Sequence, residues 1–389
     1  MRILIANDGL GDAGGVQAYL DAVAPVLQSR GHQLAVAYCD DLGRDNSGGV
    51  FYALPRFCVA GSGRDAAFAR IREWHPDICY SHNMSDVGVD RTLAEIAPVV
   101  KFMHGYFGTC IGGLKTHAFP VPVACSRVYG PACTLLYFPR KCGQLNPVAF
   151  FGQWSTARAY RRIRSAYAGI VVASEHMRAE FERSGCDPAR LHANPLFPTE
   201  PAHGGVRPAP GEPHVVFLGR MTPLKGGDLL IRAVDHAQRA LGRSIRLTMV
   251  GDGPARRDWE AVAAAAGVAC EFTGWKHGEE RWPLLQGASV LAVPSVWPEP
   301  FGLVGLEAGA VGVPAVAVNV GGISEWLHDG VNGVAVAAPA TAESFGAALA
   351  STLGDRSRLN AFSEGAYRVA REMTIDRHVD RLEAIFAAS

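Results

Sequence analysis

Short apolar runs alternate with longer stretches of helical period along most of this chain, and the alternation is played through twice. In the first half, residues 2–6 and 33–38 read as strands, separated by a glycine-rich turn at 9–15 and a helix over 16–30 that stops at Gly31. Further strands follow at 78–81, 99–103 and 170–173, the last leading into a helix over 175–184. In the second half the strands are 214–218, 245–250, 270–273, 289–293 and 314–318, and the helices 227–241, 254–266, 279–286 and 303–309. A helical pattern over 363–388 closes the chain. Strands taking turns with helices predict parallel βαβ units. Two such series predict an α/β protein made of two Rossmann-like domains facing each other across a cleft.

Two segments break the rhythm. Residues 110–151 carry prolines at 120, 122, 131, 139 and 147 with no clean period, and read as an irregular insertion in the first domain. Residues 194–213, NPLFPTEPAHGGVRPAPGEP, are rich in Pro and Gly and read as a linker. The expected organisation is a first domain over 1–198, a linker over 199–212, a second domain over 213–370, and a terminal helix over 371–389 that packs back toward the first domain.

Charge narrows the classes of function. Lys plus Arg and Asp plus Glu are 37 each, so the formal net charge is zero, which removes a global electrostatic argument for a nucleic-acid partner. No apolar run approaches the roughly 18 residues of a spanning helix, and the N-terminus lacks a signal-peptide core, so a cytoplasmic location is expected. The basic stretch with Arg158, Arg161, Arg162 and Arg164 reads as a solvated helix face, supporting peripheral membrane contact at most.

Two loops carry the candidate chemistry. The string Pro294-Ser295-Val296-Trp297-Pro298-Glu299-Pro300-Phe301-Gly302-Leu303 leaves a strand and enters a helix that holds Glu307. A helix start offers free amides, so Phe301, Gly302 and Leu303 can donate to sugar hydroxyls or a phosphate, and a carboxylate can accept from two hydroxyls at once. The second loop, Gly219-Arg220-Met221-Thr222-Pro223-Leu224-Lys225-Gly226, sets two cations beside another helix start, a combination suited to a diphosphate.

With these strings complete, the chain resembles the retaining glycosyltransferases of family 4, which have the GT-B fold and a Glu-x7-Glu signature matched here by Glu299 and Glu307. The resemblance implies that Glu299 contacts the donor sugar, Glu307 the nucleotide ribose, and Arg220 with Lys225 the diphosphate. It implies transfer of a hexosyl group from a nucleotide-diphosphate sugar, UDP- or GDP-linked, to an acceptor hydroxyl of a sugar, natural product or lipid-linked glycan, with retention at the anomeric carbon. Catalytic roles then fall to His104, Glu299, Arg220 and Lys225. His104 ends a strand of the first domain where the family often has a histidine. Gly14 and Gly15 would let the first domain's loop approach the diphosphate. The sequence has no Asp-x-Asp string, and no catalytic metal is expected. A nucleotide-sugar epimerase of the same architecture stays open. So does an NAD(P)-dependent oxidoreductase, because Gly9, Gly11 and Gly14 spell G-x-G-x-x-G, although Asp40 lies farther on than that fold usually places its acidic residue.

Nine cysteines in such a chain argue against a disulfide scaffold. Four of them, Cys110, Cys125, Cys133 and Cys142, crowd the irregular insertion. They are candidate ligands of a structural zinc that would order a segment with little apolar surface to bury, although none of their spacings is the short knuckle usual for zinc.

Overall fold

The computed structural model describes residues 1–10, 14–41, 50–198, 211–276 and 278–389. The chain divides into two compact units, the first made of Met1–Lys115, Ser126–Pro195 and Ile375–Ser389, the second of Thr116–Cys125 and Leu196–Thr374.

The first unit is built on seven parallel strands: β1 (Arg2–Leu10), β2 (Gln33–Asp41), β3 (Arg56–Cys58), β4 (Ile78–Ser81) and β5 (Val99–Met103), then, beyond a small hairpin of β6 (Thr116–His117) and β7 (Val123–Ala124), β8 (Gly169–Val172) and β9 (Leu191–Ala193). Their order across the sheet is β3-β2-β1-β4-β5-β8-β9. Residues of β4, β5 and β8 are buried on both faces, which is why these strands read as continuous apolar runs and not as alternation. Helices α1 (Gly15–Ser29), α2 (Arg64–Trp74), α3 (Val87–Ala94), α4 (Pro131–Leu136), α5 (Pro147–Ile163) and α6 (Glu175–Arg183) make up the rest of this unit, with the last helix of the chain.

The second unit repeats the plan with β10 (His214–Leu218), β11 (Arg246–Val250), β12 (Cys270–Gly274), β13 (Val290–Val293), β14 (Ala315–Asn319) and β15 (Gly333–Ala337). All pairings are parallel, in the order β12-β11-β10-β13-β14-β15. Its helices are α7 (Gly227–Leu241), α8 (Arg256–Ala266), α9 (Arg281–Gln286), α10 (Val304–Ala310), α11 (Ala342–Gly354) and α12 (Arg356–Glu372). On α7, Leu230, Ile231, Val234 and Ala237 form one buried stripe at helical spacing, and the helix stops at Gly242, whose φ of 63° suits glycine. Both sheets are doubly wound, and each reverses its winding once, between β1 and β4 and between β10 and β13. Ligands of such sheets bind where the carboxyl ends of those strands diverge.

Several expectations need correction. β1 does not end at residue 6: Gly9 and Leu10 stay in the strand, paired with Asp40 and Asp41, so Gly9 belongs to no turn. Gly11–Ala13 and 199–210 of the expected turn and linker lie outside the described residues. The insertion is less irregular than its prolines suggest. Asn146 caps α5 by accepting from the Val148 amide, and Pro147 stands at the first helical position, where its missing N–H costs nothing. The closing helix is two helices, because Met373, with φ −95° and ψ 81°, ends α12 before α13 (Ile375–Ala388) begins. That break coincides with the passage of the chain from the second unit to the first. Helix α13 is fixed there by Arg30, which reaches Asp376, Asp380 and Glu383 at 3.1, 2.5 and 2.9 Å, and by His378, buried against Tyr19 and Asn194.

Candidate active site

In the second unit the loop after β10 and the loop after β13 meet where the winding reverses. The Val296 amide donates to Leu224 O at 2.9 Å. Gly226, at φ 67°, passes so close to the second loop that a Cβ there would lie 2.1 Å from Pro294 O. A glycine is required at that point on both counts. A similar approach occurs at Gly321, φ 66°, which runs against the backbone of Glu299, while the Gly322 amide donates to Glu299 O at 2.7 Å. The Glu299 backbone is thereby held from β14's side before any ligand arrives.

The side chains follow from this frame. The Glu299 carboxylate is nearly buried and takes two charge-assisted or polar hydrogen bonds on Oε1, from Lys225 Nζ at 2.6 Å and from Ser295 Oγ at 2.5 Å. Lys225 Nζ also lies 5.5 Å from the centre of the Trp297 ring. Arg220 is exposed and makes no side-chain hydrogen bond or ion pair among the described residues, so its guanidinium is available to a ligand. Glu307, equally buried on α10, faces Arg281 at 3.3 Å. Phe301 is buried and its carbonyl accepts from Trp326 Nε1 at 2.8 Å. Gly302 turns at φ 79°, where Ile323 leaves no room for a side chain, and Leu303 caps α10. The structure therefore brings Arg220, Lys225, Glu299, Phe301, Gly302, Leu303 and Glu307 to one end of one sheet. Ser295, Arg281 and Trp326 were not singled out from the sequence. Ser295 was visible inside the motif string, but its bond to Glu299 needed the turn geometry.

In the first unit His104 stands at the end of β5, and its Nε2 is 2.9 Å from Nδ1 of His82, which follows β4. Burial, and next the charge of Lys101, push His104 down to about 3; burial, His104 and Lys101 hold His82 well below its usual value. Both imidazoles are neutral at pH 7, and His82 Nε2 is buried without a partner among the described residues. Lys101 itself is a buried cation in an otherwise apolar strand, paired with Asp90 at 2.9 Å, while Ser81 and Tyr167 donate to the same carboxylate at 2.6 and 2.7 Å. No periodicity announced that network. Gly14 and Gly15 begin α1, with nothing within 4 Å of a Cβ placed on either, so neither is demanded by packing.

The four insertion cysteines do not assemble, and among the described residues no group of three or more His, Cys, Asp or Glu is placed to hold a metal. Cys110 accepts from the Lys115 amide, Cys133 and Cys142 reach the carbonyls of Val128 and Leu136, and Cys125 belongs to the second unit while the others belong to the first. Among the described residues none of the four is in a disulfide. The insertion is ordered instead by a small core of Ile111, Tyr129, Tyr137, Phe150 and Ala157, and by a buried ion pair of Lys115 with Glu180 at 2.8 Å. The premise that this segment buries too little apolar surface was mistaken.

Residues 13–196 match the family model described as Glycosyltransferase Family 4, and residues 201–369 the one described as Glycosyl transferases group 1. The D-inositol 3-phosphate glycosyltransferase of Nocardia farcinica is 39% identical over 160 residues, 39% of this chain and 35% of that protein. The protein of the same name from Xylanimonas cellulosilytica is 35% identical over 231 residues, 52% of this chain and 54% of that one. The matched stretches thus span between a third and about half of these relatives. Among solved structures, Anabaena Alr3699/HepE in complex with UDP and glucose matches at a TM-score of 0.72 with 17% identity, and WaaG, a glycosyltransferase involved in lipopolysaccharide biosynthesis, at 0.69 with 18%. The first match covers all of both chains, the second all of this chain and 99% of the other. A glycosyltransferase family model thus matches each half of the chain, and its full length follows the two-domain GT-B fold of these solved structures.

Proposed function

We propose that the protein transfers a hexosyl group from a nucleotide-diphosphate sugar to an acceptor hydroxyl with retention of anomeric configuration. The observation that carries this reading is the Lys225–Glu299–Ser295 group at the diverging ends of β10 and β13, with unpaired Arg220 on the same loop as Lys225. Breaking the anomeric C–O bond leaves negative charge on the departing diphosphate. Lys225, held in place by Glu299, and exposed Arg220 stabilise that charge more in the transition state than in the bound donor. Glu299, with the Phe301–Leu303 turn, holds the sugar, and Glu307 takes the ribose hydroxyls. Neutral His104 acts on the acceptor side as a hydrogen-bonding partner, not as a cation. Anabaena HepE has been crystallised with UDP-glucose, which supports a UDP-sugar as the first donor to try.

The test is incubation with a panel of UDP-, GDP- and dTDP-sugars, with and without cell extract. Nucleoside diphosphate released together with labelled hexose on an extract component supports the proposal. A new sugar released without acceptor would favour the epimerase, and no turnover of any donor would refute transfer.

A further inference from the structure

A cavity of about 450 Å³ lies in the first unit against α5. It is lined by Trp154, Arg158, Arg161 and Arg162 of α5 and by Tyr129 and Thr134 from the segment before it, none of them in the strand-end loops described above. Positions 154, 158, 161 and 162 share one helix face, so three guanidinium groups converge on one space. Among the described residues none of the three is paired with a carboxylate. The sequence explains why: in a chain of zero net charge, no Asp or Glu occurs between Glu95 and Glu175, while that stretch holds nine Lys and Arg.

Like charges gathered without counter-charges repel, and here they are also held in place. Arg158 lies over the Trp154 ring at 4.5 Å, and Arg161 lies over the Tyr129 ring at 4.9 Å while donating to Tyr129 O at 3.1 Å. Stacking fixes the plane of a guanidinium and leaves most of its N–H donors free, in a fork that matches two oxygens of one anion. The volume exceeds that of a phosphate and accommodates a body of sugar or polyol size beside it. The helix face expected from the sequence to be solvated does expose Arg158 and Arg162, and it also lines a cavity.

We propose that this cavity binds a phosphate ester, the phosphoryl oxygens meeting Arg158, Arg161 and Arg162 and the ester's organic part lying against Trp154 and Tyr129. The inference does not depend on the donor chemistry, because its readout is binding. The source is either a soluble phosphorylated polyol or the headgroup of an anionic lipid.

Calorimetry with glycerol 1-phosphate on the full chain, and co-sedimentation with phosphatidylglycerol against phosphatidylcholine vesicles, separate the two. Glycerol 1-phosphate should bind, and Arg158→Gln/Arg162→Gln should weaken it at least tenfold while leaving nucleoside diphosphate affinity unchanged. Both side chains are exposed, so the variant retains the fold, and unchanged melting checks this. Selective sedimentation with phosphatidylglycerol, lost in the variant and competed by glycerol 1-phosphate, supports the lipid source. Soluble binding without sedimentation supports the free ester. No binding of either probe, or equal binding by the variant, would overturn the proposal.

Discussion

Replacing Lys225 by alanine separates two jobs that the structure gives to one side chain. In the resting protein Lys225 neutralises Glu299, whose side chain is 5% exposed, whereas Lys225 itself is 28% exposed. Removing one member of a fully buried ion pair costs roughly 3–5 kcal/mol, because the other charge is stranded. Ser295 remains as a donor to Glu299 and water can reach the vacated space, so the loss here should be nearer about 2 kcal/mol. For a domain of this size that is a fall in Tm of about 4–8 °C. Glu299→Gln should cost less, since the amide still accepts from Ser295 and the ammonium can turn to solvent. The double variant should recover about 1 kcal/mol relative to the sum. Arg220→Ala is the control: an exposed side chain without partners should change stability by less than about 0.5 kcal/mol. Both cation deletions should nevertheless lower turnover by two to three orders of magnitude, the usual scale for losing one charge-stabilising donor. Thermal melts of the five proteins, with initial rates of nucleoside diphosphate release, read both effects. Melting of Lys225→Ala within 1 °C of the parent, or strict additivity in the cycle, would refute the electrostatic coupling. Near-normal turnover of both cation variants would move the donor site elsewhere.

Glu307→Gln should weaken binding of free nucleoside diphosphate, a contact felt in ground and transition states alike, whereas Glu299→Gln should reduce kcat more than affinity; equal calorimetric losses would disprove this division. His104 and His378, pushed down to about 3 and about 4 chiefly by burial, bind fewer protons folded than unfolded. Their contribution to stability is therefore complete above about pH 6.5 and is lost as pH falls toward those values. Melting temperature should decline below pH 6.5, and His378→Asn should flatten that decline; an unchanged slope would count against it. Protein purified without added metal should contain under about 0.2 equivalents of zinc and melt identically in chelator, with nine thiols titrating after denaturation; stoichiometric zinc would reinstate a metal-ordered insertion.

Fold class and the loop strings of the candidate site were legible because their signals are local. Buried parallel strands are continuous apolar runs, and the loops that follow them carry fixed spacings such as Glu299 to Glu307 and Arg220 to Lys225. Short elements such as β3 and α2 escaped notice. The three buried positions of α2, Ala67, Phe68 and Ile71, give too thin a stripe to stand out. The insertion misled because four cysteines are conspicuous in sequence, while a cluster assembled from Ile111, Tyr129, Tyr137, Phe150 and Ala157 has no period at all.

The sequence by itself determined the alternation of elements, the charge balance with its long acid-free stretch, and the identity of the residues at the strand ends. Only the tertiary structure decided which of those residues share an electrostatic environment. The Glu299 carboxylate has Lys225 as its counter-ion because Gly226 and Gly321 let three loops close on one another. His104 is neutral because β4 and β5 bury it beside His82 and Lys101. Arg158, Arg161 and Arg162 line a cavity because the chain at Tyr129 is held against their helix through Arg161. Each depends on distance and burial, and the energy of a charge changes with these far more than with its place in the chain.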